Sequence, residues 1–142
     1  MNTLISPATV EHAEAILPLM DAEDSLRVDP GGLTVVLRVS SISWCAMHDE
    51  QPMCIGGVTE IGGAWMISTP ELHRQKRFFL RQSKTVMKLI ADQFSGVSVT
   101  VDPCYFRSVR WLLWLGFKMD GDGRFPLNGE LVPVQRFKWV RP

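Results

Sequence analysis

The sequence predicts a mixed α/β fold of the α+β kind, with a mostly antiparallel sheet flanked by helices in a single domain over residues 1–142. Three observations predict it. Short β-branched or apolar runs between Ser43 and Thr69 are separated only by turn residues, as in a meander of strands. A long amphipathic segment from His73 to Phe94 follows. A second strand, Val97 to Val101, then passes through Asp102-Pro103 into a helical spacing that stops at Gly116.

The elements follow in order. Thr3 to Ile5 reads as a short first strand, after which Ser6 or Thr9 caps a helix with Ala13, Ile16, Leu17 and Met20 on its apolar face. Pro18 ends or bends that helix. The acidic stretch DAEDSLRVDPGG, residues 21–32, reads as a loop, and Leu33 to Val39 fits a strand or a helix equally. Ser43 to His48 and Met53 to Thr59 read as an antiparallel pair around the turn Asp49 to Pro52. Gly62-Gly63 then turns the chain into Ala64 to Thr69.

In the long helix, Phe79, Val86, Met87, Ile90 and Phe94 share one face, and Arg74, Arg77, Arg81, Lys84 and Lys88 recur at steps of three and four on the other. Val97, Val99 and Val101 alternate as a strand does. Val109, Leu112, Leu113 and Leu115 then take helical spacing, Gly116 supplies the left-handed stop, and Phe117 starts another strand. Gly121 to Pro142 fits a last hairpin that turns at Asn128-Gly129, with Val132 to Val140 as its second strand. Arg136, Lys138 and Arg141 fall on its rim.

Composition narrows the function classes. A chain of 142 residues builds one core, and 15 basic and 15 acidic side chains cancel. No run approaches the roughly 18 apolar residues of a membrane span, and the N-terminus lacks the pattern of a signal peptide, which makes a cytoplasmic location the expectation. The five helix cations lack interleaved exposed aromatics, too weak a footprint to predict nucleic-acid binding. Cys45, Cys54 and Cys104 form no CxxC and predict buried thiols, with no metal site. Cys45 and Cys54 flank the hairpin turn almost symmetrically, a placement that lets them face each other, with His48 nearby.

The stretch VSVTVDPCYFRSVRWLLWLGF, a strand, a short helix and Leu115-Gly116-Phe117, resembles the passage that closes the acyl-CoA cleft in the GCN5-related N-acetyltransferase (GNAT) family, and the whole element order is similar to that fold. Further features are similar to GNAT-like proteins of short-tailed bacteriophages, related to their internal virion proteins. These are the Asp29-Pro30 turn, Ser43-Trp44, Gly56-Gly57, and Trp65 to Thr69 before the long helix. The family's helix opens with Asn and carries Tyr seven residues later, positions held here by Tyr105 and Leu112. Its phosphate loop, Arg/Gln-x-x-Gly-x-Gly/Ala, aligns from Arg74 and places Arg77 and Phe79 where glycines belong.

The resemblance implies acetyl-CoA as co-substrate, held by main chain at Met66, Ile67 and Ser68 and by Arg74, Lys76, Arg77 and Phe78 at the start of the long helix. It implies Glu60 and Tyr105 as the catalytic pair. His73 is a further candidate base or phosphate donor, Cys104 a candidate acyl carrier, and Trp65 and Trp111 core or cleft-wall residues. The function implied is transfer of an acetyl group to a host bacterial protein or small amine in the host cytoplasm. The alternative is a catalytically silent fold that binds host proteins or serves in a virion. The acceptor pocket would come from variable loops such as Asp21 to Gly32 and the C-terminal hairpin.

Overall fold

The computed structural model describes residues 3–20, 30–127 and 129–142. The chain forms two compact units, Met1–Gln82 and Ser83–Pro142.

In the first unit, β1 (Thr3–Ser6) leads to α1 (Val10–Ile16), whose start is fixed by Thr9. Thr9 Oγ1 accepts from the His12 amide at 3.2 Å and the Thr9 amide donates to His12 Nδ1 at 3.1 Å, so histidine takes the place that Glu or Gln usually holds in a capping box. A 3-10 turn at Leu17–Leu19 follows α1, as Pro18 dictates. The ambiguous Leu33 run is helical: α2 spans Pro30–Arg38, so Pro30 to Gly32, expected in a loop, open a helix instead. The rest of the acidic stretch, 21–29, and Asn128 lie outside the described residues.

Strands β2 (Ser40–His48), β3 (Gln51–Thr59) and β4 (Ala64–Ser68) complete an antiparallel sheet in the order β1-β2-β3-β4. The β2–β3 turn is tighter than the sequence suggested. His48 pairs with Gln51, and only Asp49 (φ 47°) and Glu50 (φ 66°) form the bend, both in the left-handed region that a two-residue hairpin of primed type requires. Pro52 therefore lies inside β3. The register shift between Ala46 and Met47 falls opposite it, an irregularity of the kind where a strand tolerates a residue with no amide hydrogen.

That shift also separates the two cysteines expected to face each other. Cys45 pairs with Ile55 and Ala46 with Cys54, so the thiols project from opposite faces of the sheet. Cys45, Ile55 and Ile67 pack with Ala13, Ile16 and Leu33 of α1 and α2 on one face. Ala46, Met53 and Cys54 pack with Leu72, Phe78 and Phe79 on the other. Burial pushes the Cys45 thiol up to about 11 and the Cys54 thiol up to about 12. Neither is the low-pKa thiol that nucleophilic chemistry needs.

After β4 come α3 (Pro70–Arg74) and the long α4 (Lys76–Gln93). The second unit contains the sheet β5-β7-β6, with β5 (Gly96–Val101), α5 (Phe106–Trp114), β6 (Lys118–Leu127) and β7 (Glu130–Val140). Helix α5 ends as the sequence predicts. Gly116 has φ 100°, its amide donates to Leu113 O at 3.1 Å and the Phe117 amide to Leu112 O at 3.0 Å, the paired bonds of a Schellman stop. Leu112 and Phe117 are both buried. The β6–β7 hairpin turns beyond the Leu127–Glu130 pair, with Gly129 at φ 81°. Arg136 and Lys138 alternate with buried Phe137 and Trp139 along β7 and are exposed. No helix among the described residues is long and apolar enough to cross a membrane.

Candidate functional site

Among the described residues, strand β4 pairs with β3 alone. The Thr59 amide donates to Gly63 O and the Thr69 amide to Met53 O, both at 2.9 Å. Because bonded and non-bonded pairs alternate in an antiparallel ladder, the bonded pairs between them are Ile55–Ile67 and Gly57–Trp65. The main-chain groups of Met66 and Ser68 therefore turn away from β3 toward the sheet edge. Those of Ile67 turn inward. Of the three residues singled out for main-chain contacts, the edge presents two.

The strand is held straight into the next helix by Thr69, which is buried and whose Oγ1 donates to Pro52 O at 2.8 Å. Pro70 at the first position of α3 suits a helix start, where its missing amide hydrogen costs nothing. Gln75 (φ −106°, ψ 36°) is the single interruption before α4, and its amide donates back to Glu71 O and Leu72 O. Residues 76–79 are thus already helical, and none of them has positive φ.

An open glycine cradle for a diphosphate is absent. What this corner offers an anion is side-chain charge from Arg74, Lys76 and Arg77, which are exposed, as is His73 beside them. Arg74 is committed in part, since its Nη1 donates to Glu71 Oε2 at 2.7 Å, and that hydrogen bond holds the Glu71 carboxyl below the usual range. Glu71 escaped the sequence reading although its three-residue spacing from Arg74 was visible there. Phe78 faces inward, packed against the Ala46, Met53, Cys54 and Leu72 cluster. It is half-buried there and packs within the first unit.

Glu60 is exposed at the β3–β4 turn, its amide bonded to Val39 O at 3.0 Å. It precedes β4, whereas Arg74 ends the helix that follows that strand. In the second unit Tyr105 is half-buried at the N-cap of α5, with no capping bond from its side chain; its amide donates to Asp102 O at 3.0 Å. Cys104 is an exposed free thiol whose amide donates to Asp102 Oδ1 at 2.8 Å. Leu112, at the position of the family tyrosine, is buried and offers no proton. His48 Nε2 lies 3.4 Å from Asp49 Oδ2, and no group of three metal-ligating side chains occurs among the described residues.

The indoles do structural work. Trp65 Nε1 donates to Ser40 Oγ at 2.8 Å, and Ser40 Oγ donates to Val36 O at 2.7 Å, tying β4 to the start of β2 and the end of α2. In the second unit Trp111 Nε1 donates to Ser83 Oγ at 3.1 Å. A shallow depression of about 340 Å³ in that unit is lined by Pro103, Asp122, Gly123, Arg124, Pro133 and Gln135, among others.

No protein-family model and no curated protein sequence matches this chain. Solved structures do match it. The ribosomal-protein-S18-alanine N-acetyltransferase of Escherichia coli superposes with a TM-score of 0.79 at 10% identity, covering 99% of this chain and 94% of its own. Arabidopsis thaliana NAA60 in complex with a bisubstrate analogue gives 0.73 at 13% identity, covering 98% of each chain. The alpha-N-protein acetyltransferase RimL in complex with coenzyme A gives 0.68 at 10% identity, covering 99% of this chain and 94% of its own. The fold is the mixed α/β fold of GNAT acetyltransferases.

Proposed function

We propose that this protein is an acetyl-CoA-dependent N-acetyltransferase. The observation that carries the reading is structural similarity to GNAT enzymes over 98–99% of the chain. Two features of the first unit support it. The edge of β4 turns the Met66 and Ser68 main chain outward, where an extended pantetheine arm can add to the strand as a peptide would. Lys76 and Arg77 bring charge to the N-terminal end of α4, where the helix dipole also favours phosphate.

Acetyl-CoA supplies an activated acyl thioester, and the chain's task is to hold it, orient it and manage protons. A Met66 or Ser68 amide aimed at the carbonyl oxygen favours charge developing there. As the amine nitrogen bonds to the acyl carbon and the carbon–sulfur bond breaks, Glu60 is the proposed acceptor of the amine proton and Tyr105 the remaining candidate to give a proton to the departing CoA thiolate. The acceptor we propose is a protein amine or small amine of a bacterial host, from the resemblance to phage-encoded GNAT-like proteins.

Titration calorimetry with acetyl-CoA tests the reading. Saturable binding in the micromolar range is expected; no binding at high micromolar concentration overturns it.

A second reading, a silent GNAT fold that acts by binding host proteins or within a virion, is favoured by one observation. The glycine positions of the phosphate loop are helical Arg77 and Phe79, and the tyrosine position is buried Leu112. Binding of acetyl-CoA without transfer to a panel of peptide and small amines, or co-purification with intact particles, selects it.

A further inference from the structure

Helices α4 and α5 are charged in one sense. Within the second unit they carry Lys84, Lys88, Arg107 and Arg110 against one acid, Asp92, in a chain with no net charge. Charge of one sign gathered on two neighbouring elements of a neutral chain marks a surface for something of the opposite sign.

The exposed face of α5 adds a second feature. At 100° per residue, Phe106, Arg110, Leu113 and Trp114 fall within about 100° of arc, while the buried Leu112 points elsewhere. Phe106 is 74%, Leu113 53% and Trp114 47% exposed, so three large apolar side chains border one guanidinium. Lys84 joins this face from α4, its Nζ 4.4 Å from the centre of the Trp114 ring. The ammonium covers one side of that ring and counts against base stacking as its use, which leaves contact along the ring edge and with aliphatic side chains.

We propose that this face, formed by Phe106, Arg110, Leu113 and Trp114 with Lys84 beside it, docks an acidic amphipathic helix of a partner protein. Charge complementarity selects the partner's sign, and the spacing of Phe106, Arg110 and Leu113 by four and three residues matches the period at which a helical partner presents its own side chains. Leucine or phenylalanine of the partner would cover Phe106 and Leu113 while its carboxylates meet Arg110 and Lys84. The surface lies within the second unit and does not depend on acetyl transfer.

Fluorescence anisotropy of the full chain with a labelled Glu/Leu peptide, leucines at helical i, i+3, i+4, i+7 spacing, tests this. Saturable binding is expected, weakened about tenfold or more by Arg110→Glu or by Leu113→Asp, and weakened comparably when the same peptide is scrambled to destroy its apolar face. Far-UV dichroism and thermal midpoints of both variants check that they fold; if one does not, Phe106→Ser at the most exposed position replaces it. Absence of saturable binding at about 0.5 mM peptide overturns the proposal. So does equal binding of the scrambled peptide, or tighter binding of oligothymidylate, which assigns the surface to nucleic acid. Acetyl-CoA titration of the same variants is expected to match the parent, which separates this surface from the proposed acyl-CoA site.

Discussion

The indole of Trp65 occupies the space a side chain on Gly57 would need. A Cβ at Gly57 would stand 3.0 Å from Trp65 Nε1, 3.1 Å from its Cε2 and 2.7 Å from Ile42 O. Neither the strand carbonyl nor a ring anchored by its bond to Ser40 moves cheaply. Gly57→Ala is expected to cost about 2 to 3 kcal/mol, at the upper end for overpacking. Denaturant melts read it, and a loss below about 0.5 kcal/mol would mean that the sheet yields there.

Glu50 holds φ 66° in the β2–β3 turn without the freedom of glycine. A left-handed L-residue costs roughly 1 to 2 kcal/mol, partly offset when glycine replaces it by the entropy glycine loses on folding. Glu50→Gly should therefore stabilise the protein by about 0.5 to 1 kcal/mol. Thermal midpoints measured beside Glu50→Ala would decide it, since alanine keeps the strain; equal midpoints contradict the proposed cause.

Alkaline pH should unfold this chain in a cysteine-dependent way. The Cys54 thiol rises in the fold from 9.0 to about 12, first through burial and then through the neighbouring Cys45. A raised value on an acid means that the unfolded chain ionises first. The stabilisation is whole below pH 9 and is lost as pH climbs toward 12, at about 1.4 kcal/mol per pH unit for this group. Cys54→Ala should flatten the fall in stability between pH 9 and pH 11, whatever it costs at neutrality. An unchanged slope would show that the thiol ionises within the fold.

If acetyl-CoA is bound through side-chain charge, Lys76→Ala and Arg77→Ala should each raise its Kd several-fold, more at low salt than at high. Arg74→Ala should matter less, because Glu71 already takes up its guanidinium. Titrations of the three variants at two ionic strengths would rank them, and a dominant Arg74 would reverse the assignment.

Much of the architecture is legible in residue order because local signals agree with the final packing. Val97, Val99 and Val101 alternate, Thr9 caps, and Gly116 takes the one conformation that its neighbours avoid. Leu33 to Val39 was ambiguous because β-branched residues serve a strand as readily as a buried helix face, and contact with the α1 and β3 side chains settles it as helix. The cysteine register could not be counted from the turn, since an irregularity between Ala46 and Met47 moves one strand past the other.

The candidate site was less legible. Motif counting assumes an open loop after β4, whereas without glycine the chain there coils into helix and turns Phe78 into the core. Lys84 and Trp114 lie 30 positions apart, a pairing no short spacing announces.

The Schellman stop constrains what position 112 can hold. Leu112 gives its carbonyl to the Phe117 amide and its side chain to the interior, so that position now has a structural duty. A tyrosine placed there would bring a hydroxyl and extra volume into a filled space before it brought any chemistry. Leu112→Tyr would need companion changes around it to be accommodated. The same hydrogen bond that stops α5 thus fixes what its last turn can carry.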